Sequence, residues 1–225
     1  MRWTTFSSYL RKRFGCPVRK IPIDAGFTCP NRDGTKGTGG CLFCNNEAFS
    51  PPVRHRSSQG PIPISKQVQQ ALSRVRREKP IKFIAYFQAY SNTYAPPEEL
   101  EKKYSEALID PRIVGLAVGT RPDCVNEDVL DVLCSFADRY EVWLELGLQT
   151  IHDDILSSVN RGHDSKSFFE CMELVSGRPL KICVHIMIGL PGDNRERNKQ
   201  TALALAGVPY HGLKLHPLQV LKGTA

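Results

Sequence analysis

The sequence predicts an α/β fold, a partial TIM-like (β/α)6 barrel, and three observations lead to this prediction. Six apolar segments of strand length alternate with segments of helical periodicity. No phosphate-binding pattern such as GxGxxG opens a predicted helix, which disfavours a doubly wound nucleotide-binding sheet. Polar and glycine-rich residues follow the apolar strands, as they do where chemistry gathers at the carboxyl end of a parallel barrel.

The elements follow from local pattern, in chain order. The predicted strands are RKIPID, IKFIAYFQ, IVGLAVGT, EVWLELGLQT, LKICVHIMIGLPG and GLKLHPLQV. The helices between them are SKQVQQALSRVRREK, PPEELEKKYSEALI, NEDVLDVLCSFADRY, SKSFFECMELV and RERNKQTALALAG. The first helix places Val68, Leu72 and Val75 on one stripe, and Asn126 is positioned as the N-cap of the third. Apolar strands joined by helices predict a parallel sheet covered by helices.

One domain over residues 1–225 is the expected organisation. Residues 1–63 form an N-terminal segment with a cysteine-containing loop, residues 64–218 the βα repeats, and residues 219–225 a tail. The chain stops soon after the sixth strand, so we expect a barrel truncated at that point.

The chain has neither an apolar run long enough for a bilayer nor the apolar core of a signal peptide. Its eight cysteines are irregularly spaced. Together these features predict no membrane partner and a reducing, cytoplasmic location, where cysteines serve as metal ligands, catalysts or core residues.

The net charge of +7 is unevenly distributed along the chain. Residues 1–80 carry 15 Lys and Arg against 4 Asp and Glu, whereas the remainder carries 15 against 19. A basic third beside a near-neutral remainder favours a polyanionic partner bound at one face. A solvated basic surface that only keeps the protein in solution explains the charge equally well.

Three cysteines lie in the polar, glycine-rich stretch FTCPNRDGTKGTGGCLFCNN: Cys29, Cys41 and Cys44. A structural zinc ion prefers four N or S ligands, and a fourth from Cys16 or His55 would lack a paired spacing. A redox pair of the Cys-x-x-Cys type would not need Cys29. An iron–sulfur cluster held by three thiolates would keep one iron open for another ligand. The spacing alone leaves these three alternatives open.

The pattern Cys-x11-Cys-x-Phe-Cys in the first βα loop resembles the radical S-adenosylmethionine (SAM) superfamily, in a variant with a long first gap. The segments VGTRPD, LELGLQT, VNRGH and HIMIGLPG are similar to strand-end motifs in the radical domain of the Elongator catalytic subunit. The segments YFQAYSNTYAP and GLKLHPLQVLKGT resemble a smaller bacterial family of stand-alone radical SAM proteins. The resemblance runs from about residue 2 to residue 224.

This resemblance implies a barrel of the radical SAM type and two cofactors. A [4Fe-4S] cluster would sit on the three loop cysteines, and SAM would chelate the open iron. Reduction by a donor such as flavodoxin or ferredoxin would break a C–S bond of SAM and give a 5′-deoxyadenosyl radical.

The resemblance also implies roles for particular residues around SAM. Phe43 would lie near adenine, and Gly189 and Gly192 would let adenine approach the fifth strand. Gln149 would contact SAM or substrate. The superfamily's Gly-Gly-Glu-like motif reads QAYSNT here, so the candidates for holding the SAM amino group are Gln88, Ser91 and Asn92.

Several other polar residues have both a functional and a structural interpretation. Arg121 and Asp123 would either pair or face substrate, and His163 and His216 would either transfer protons or satisfy local hydrogen bonds. Four cysteines are expected to be packing residues: Cys124, Cys134, Cys171 and Cys183.

The substrate expected first is RNA, namely a tRNA wobble uridine, because of the basic N-terminal third and the Elongator resemblance. One alternative is a small metabolite, as in the oxygen-independent coproporphyrinogen oxidase branch. The other alternative is a zinc-binding RNA-interaction module without catalysis.

Overall fold

The six predicted strands form one parallel sheet in the order in which they occur along the chain. This computed structural model describes residues 3–50, 60–75 and 80–221. The strands are β1 (Val18–Ile23), β2 (Lys82–Phe87), β3 (Ile113–Thr120), β4 (Glu141–Gln149), β5 (Lys181–Ile188) and β6 (Gly212–Pro217). Each strand pairs in parallel with the next, so that among these strands β1 and β6 are the two edges of a curled half-barrel. The predicted α/β half-barrel is therefore confirmed.

Eight helices are found within the described ranges. They are α1 (Phe6–Phe14), α2 (Asn46–Phe49), α3 (Ile64–Ser73), α4 (Pro97–Glu106), α5 (Glu127–Ser135), α6 (Asp153–Ser158), α7 (Ser165–Leu174) and α8 (Arg195–Leu205). The five predicted helices are confirmed as α3, α4, α5, α7 and α8 with shorter bounds, and residues 76–79 of the first prediction lie outside the described residues. Asn126 caps α5 as predicted, since its Oδ1 accepts from Val129 N at 2.9 Å. No described helix combines the length and the apolar character needed to cross a bilayer.

Three of the helices were not predicted: α1, α2 and α6. Helix α1 is bounded by two local signals. The Thr5 side chain accepts a hydrogen bond from Ser8 N, and Gly15 ends the helix with a positive φ of 73°. Its function in the fold is to close the amino end of the half-barrel, as its packing shows.

The two faces of the sheet bury different kinds of side chain, because successive residues of a strand point to opposite faces. The outer face packs against the helices through apolar residues such as Ile23, Phe87 and Leu144. The inner face begins, at the amino end of the strands, with a small apolar layer that includes Leu10 of α1, Ile84 and Trp143.

Helix α1 docks on this inner layer through aromatic contacts. The rings of Phe6 and Tyr9 meet Trp143 edge-on, with centroids 5.0 and 5.7 Å apart. Because α1 covers the amino end, the polar residues further along the inner face form the floor of a cavity that opens toward the carboxyl ends of the strands.

Candidate active site

A cavity of about 380 Å³ lies at the carboxyl ends of the strands. Its wall includes residues at or just beyond the ends of five strands: Gln88, Thr120, Gln149, Met187 and His216. The three loop cysteines line the same cavity. A volume in this range suits a small molecule, and its position is the one that parallel barrels use for chemistry.

The long gap between Cys29 and Cys41 is a folded turn rather than a slack connection. Asp33 and Thr38 form an antiparallel bridge, and Gly40 N donates to Asn31 O at 2.8 Å. Gly40 has a φ of +83°, and a Cβ at this position would lie only 2.6 Å from Arg32 Nε. The fold of the gap therefore requires glycine here and returns the chain to the cavity at Cys41.

The segment VNRGH, which follows α6, clamps this cysteine loop. Asn31 Nδ2 donates to Asn160 O at 2.6 Å, and Asn160 Nδ2 donates to Gly40 O at 2.9 Å. The backbone adds a third bond, from Leu42 N to Val159 O at 3.0 Å. These contacts fix the position of the loop against the rest of the barrel.

The thiols receive N–H groups from buried side chains. Arg161 Nη1 lies 3.5 Å from Cys41 Sγ, and Asn31 Nδ2 lies 3.8 Å from the same sulfur. Asn46 Nδ2 lies 3.7 Å from Cys44 Sγ. Donors around cysteine sulfur stabilise thiolate charge and tune the metal centre that the thiolate binds.

Arg161 and Asn31 were missed by the sequence reasoning. Arg161 is held in place by a 2.7 Å bond from its Nη2 to Gly147 O. Its position in the VNRGH motif was a usable signal, because an arginine in a conspicuous loop motif needs a partner for its charge.

Burial raises the pKa of the Cys44 thiol, and the nearby Cys41 raises it further. A bound metal removes both penalties, because ligation replaces the proton and pairs the negative charge.

Within the described residues, no group of three or more His, Cys, Asp or Glu side chains is arranged to hold a metal ion. The three loop thiols nevertheless share the wall of one cavity. Thiolates are the usual ligands of both iron–sulfur clusters and structural zinc ions.

Four buried polar atoms on cavity residues have no hydrogen-bond partner among the described residues: Ser50 Oγ, Ser91 Oγ, Gln149 Oε1 and Arg161 Nε. Buried polar atoms in proteins are nearly always paired, so these four point to a polar ligand in the cavity. A molecule with amino, carboxylate and hydroxyl groups, such as SAM, offers partners for all four.

The model of the Radical SAM superfamily matches residues 31–205. The chain belongs to the radical SAM superfamily. Protein YhcC of Escherichia coli K12 is 45% identical over 221 residues, which cover 97% of this chain and 69% of YhcC. Elongator complex protein 3 of Mus musculus is 33% identical over 126 residues, 54% of this chain and 22% of that protein.

A solved structure agrees with the half-barrel. The structure of Elp3 from the archaeon Methanocaldococcus infernus superposes with a TM-score of 0.61 at 19% identity, covering 92% of this chain and 47% of the archaeal one. At this identity the superposition shows the fold. The predicted membership of the superfamily, with relatives among YhcC-like and Elongator proteins, is thus confirmed.

The structure brings three of the six predicted cofactor-binding residues to the cavity: Phe43, Gln88 and Gln149. Phe43 also packs against the apolar cluster of Ile155, Val159 and Leu190.

The other three predicted residues are Asn92, Gly189 and Gly192, and they do not line the cavity. Asn92 is fully buried and donates from Nδ2 to Gly119 O at 2.8 Å. Gly189 and Gly192 have φ values of 87° and 82° and form the turn after β5. Contact of these three residues with SAM stays a prediction.

Arg121 and Asp123 form the expected ion pair. Two guanidinium nitrogens each lie 2.9 Å from an Asp123 oxygen, and Lys36 Nζ of the cysteine loop lies 2.6 Å from Asp123 Oδ2. Burial alone would raise the pKa of Asp123, but the hydrogen bonds from Arg121 and Lys36 outweigh it and hold the pKa at about 2. Arg121 Nη1 also donates to Arg161 O at 2.8 Å, so the pair ties the cysteine loop and its clamp together.

Of the histidines and the other cysteines considered in the sequence, some line the cavity and others make only local contacts. His216 lines the cavity, whereas His163 Nδ1 lies 2.9 Å from Asp164 O and burial lowers the His163 pKa to about 4. Cys16 is buried just after α1 and does not line the cavity, and His55 lies outside the described residues. The expected packing cysteines are also outside the cavity wall, and all eight cysteines are free thiols.

A charged cluster that sequence reasoning missed lies beneath the cavity, on the inner face of the sheet. Glu145 is only 2% exposed and pairs with Lys20 through one oxygen and with His185 Nε2 at 2.8 Å through the other. Lys214 Nζ lies 3.8 Å from the same carboxylate. Burial alone would raise the Glu145 pKa, but these cationic and hydrogen-bonding partners hold it far below its usual range.

Proposed function

We propose that this chain is a radical SAM enzyme in which Cys29, Cys41 and Cys44 hold a [4Fe-4S] cluster and SAM occupies the open iron. The observation that carries the proposal is the presence of three thiols and four orphaned buried polar atoms around one cavity. When bound, the cluster and SAM supply one-electron cleavage of a C–S bond and a 5′-deoxyadenosyl radical that abstracts hydrogen from substrate.

The chain's own residues would bind and position these groups. Arg161 and Asn31 stabilise the thiolate of Cys41 by their N–H groups. Phe43 flanks the adenine, in keeping with the resemblance. Gln88 and Ser91 are the residues near the second strand end that would accept hydrogen bonds from the SAM amino group.

A second set of residues would shape and seal the site. Gln149 Oε1 would accept from a hydroxyl group of SAM or substrate. Asn92 stays a candidate for holding the SAM amino group, and Gly189 and Gly192 would let adenine approach the backbone of the fifth strand. Helix α1 excludes water from the amino end of the barrel.

We further propose a tRNA substrate, a single radical SAM core domain, a cytoplasmic location and an external electron donor such as flavodoxin or ferredoxin. Similarity to Elongator complex protein 3 and the basic balance of residues 1–80 support tRNA. The cysteine loop contributes little net positive charge, because Lys36 pairs with Asp123 and the acidic Asp33 offsets the charge of Arg32. RNA contact would therefore fall on other basic residues, and Arg54 and Arg56 are among those outside the described residues.

Anaerobic reconstitution with iron and sulfide, followed by assay for 5′-deoxyadenosine, tests the cofactor proposal. The wild-type protein should turn brown and form 5′-deoxyadenosine from SAM. Cys41→Ala should lose both the cluster and the product, whereas Cys134→Ala, which changes a helix cysteine away from the cavity, should keep both. Undiminished product from Cys41→Ala with a retained fold would refute the ligand assignment.

The substrate proposal is tested separately with bulk tRNA. Each phosphate that the protein neutralises contributes about −0.9 to the slope of log affinity against log salt for a duplex, so retention on tRNA should fall steeply between low and moderate salt. Addition of tRNA should also change the yield of 5′-deoxyadenosine. Salt-independent retention would refute tRNA while leaving the cofactor proposal intact, and product formation indifferent to tRNA would favour a small-molecule substrate.

A further inference from the structure

The inner face of the sheet carries a polar layer between the small apolar layer at the amino end of the strands and the cavity. Its members share the inward direction of alternate strand positions: Lys20, Tyr86, Glu145, His185 and Lys214. The sheet register places His185 beside Lys214 on neighbouring strands, and Met187 beside His216 one step nearer the cavity mouth. Four of the five layer residues also line the cavity itself, namely Tyr86, Glu145, His185 and Lys214, and His216 lines it beside them.

The charges within this layer do not cancel. Lys20 and Lys214 carry the amino groups of this layer, and Glu145 is the one carboxylate among the described residues that pairs with them. Burial lowers the pKa of Lys214, and the nearby Glu145 carboxylate counters part of this effect. Tyr86 keeps its proton because burial raises its pKa far above its usual range. Burial lowers the pKa of His185 and lowers that of His216 to about 4, so both rings are neutral near pH 7. One positive charge is therefore left over in a partly buried space.

The excess positive charge of the layer is carried by Lys214, which is the lysine less closely paired with Glu145. Glu145 gives one oxygen to Lys20 and the other to His185 at 2.8 Å, while Lys214 stays 3.8 Å away. Within the described residues, its Nζ donates a hydrogen bond to Tyr86 Oη at 3.0 Å and also interacts with the Glu145 carboxylate. Its side chain is 36% exposed, and it reaches that exposure at the cavity wall. An ammonium group has three N–H donors, so Lys214 retains donors for a ligand.

His216 extends the same donor surface. It follows Lys214 by two positions on β6, so both side chains point inward. Its ring lies 5.4 Å from the ring of His185 and makes no hydrogen bond to a described residue. A neutral imidazole has one N–H to donate, and this donor lies on the cavity side of Lys214.

We propose that Lys214 and His216 bind an oxyanion of the substrate, a carboxylate or a phosphate group, at the floor of the cavity beneath the cysteine loop. A partly buried ammonium without a full counter-charge is unfavourable, and an oxyanion supplies that charge together with acceptors for both donors. Glu145 tunes the site, since it cancels one of the two lysine charges and so prepares it for a single anionic group. The inference rests on the proposed function only in placing a substrate in this cavity.

Fluorine NMR of two small anions tests the site on the anaerobically reconstituted protein without SAM. Trifluoroacetate represents a carboxylate and monofluorophosphate a phosphate group, and trifluoroethanol is the neutral control. We expect line broadening of at least one anion and none of trifluoroethanol. Lys214→Met should weaken that binding at least about tenfold, because it removes a charged hydrogen bond. The anion that broadens identifies the kind of oxyanion that the site accepts.

Two variants make the result specific. Lys166→Met changes the net charge equally but alters an exposed lysine on α7, and it should bind the probe as the wild type does. Glu145→Gln leaves two lysine charges in the layer and should bind severalfold more tightly, a gain that misfolding cannot produce.

Three results would overturn the proposal: no anion binding by the wild type, equal losses in Lys214→Met and Lys166→Met, or unchanged or weaker binding in Glu145→Gln. Failure of the radical chemistry would show separately, as absence of 5′-deoxyadenosine from the wild type. The fluorine NMR measurement is made without SAM, so its result does not depend on the outcome of the 5′-deoxyadenosine assay.

Discussion

Replacing Asp123 by asparagine tests the account of how the cysteine loop is anchored. The change keeps the shape of the side chain but removes the charge that pairs with Arg121 and Lys36. The side chain of Asp123 is only 6% exposed, so solvent screens the interaction weakly. The pKa falls from its ordinary 3.8 to about 2 in the folded protein. At ~1.4 kcal/mol for each pKa unit, the ionised form stabilises the fold by about 2.5 kcal/mol.

The sign of the pH dependence follows from the direction of that shift. Because the folded-state pKa is depressed, the stabilisation is fully present above the unfolded-state pKa near 3.8 and is lost as the pH falls toward 2. Asp123→Asn should therefore be less stable than the wild type by about 2.5 kcal/mol at pH 7, with the gap closing at low pH.

Urea unfolding of the metal-free, reduced chain at several pH values measures this gap. Asp138→Asn, at an exposed position after α5, is the matched control and should be neutral. A gap that persists undiminished at pH 2.5, or an equal loss in the control, would refute the assigned role of the ion pair. If the pair also anchors the loop, Asp123→Asn will retain less iron after reconstitution.

Three further changes probe other parts of the site. Arg161→Met should lower the iron bound per chain after reconstitution, because it removes the donor 3.5 Å from Cys41 Sγ; full iron content would contradict this. Gly40→Ala should lower the free energy of unfolding by at least ~1 kcal/mol, since its φ is +83° and its Cβ would meet Arg32, whereas Gly207→Ala has open space and should be neutral. Phe6→Ala should lower the free energy of unfolding by about 1 kcal/mol, because it removes the edge-on contact with Trp143. An unchanged urea midpoint would argue against α1 as the element that closes the amino end of the half-barrel.

The sheet was predictable because its central strands, β2, β3 and β4, are buried on both faces. A strand such as Ile113–Thr120 is then a nearly continuous apolar run, which contrasts with the polar helices around it. The meeting of the three loop cysteines at the cavity was also predictable, because their loop follows the first strand and therefore lies at the carboxyl end of the parallel sheet. Their role as cluster ligands stays a prediction. Helix α1 was not predicted, because its few apolar residues, Phe6, Tyr9 and Leu10, face a barrel interior that the sequence does not reveal.

The clamp and the charged layer depend on contacts between distant parts of the chain. Asn31 and Asn160 are 129 positions apart, and nothing local links them. Glu145 and His185 sit within apolar strands, where an isolated polar residue is indistinguishable from a solvent-facing one. Only the pairing of β4 with β5 and of β5 with β6 brings them together: His185 lies one inward position beyond Cys183, the partner of Glu145, and directly opposite Lys214.

The energetics of the charged layer argue for a role in binding rather than in folding. A buried ion pair is often no better for stability than apolar residues of the same volume, because desolvation offsets the attraction. The neighbouring layer shows that apolar packing is available in this barrel, since Ile84 and Trp143 fill the same inner face one step below. Lys20, Glu145 and Lys214 thus occupy positions where stability alone would favour hydrophobic side chains. The low dielectric around these side chains makes their charges unfavourable for folding. It also strengthens their attraction for an anionic group that enters from the cavity, which explains their burial.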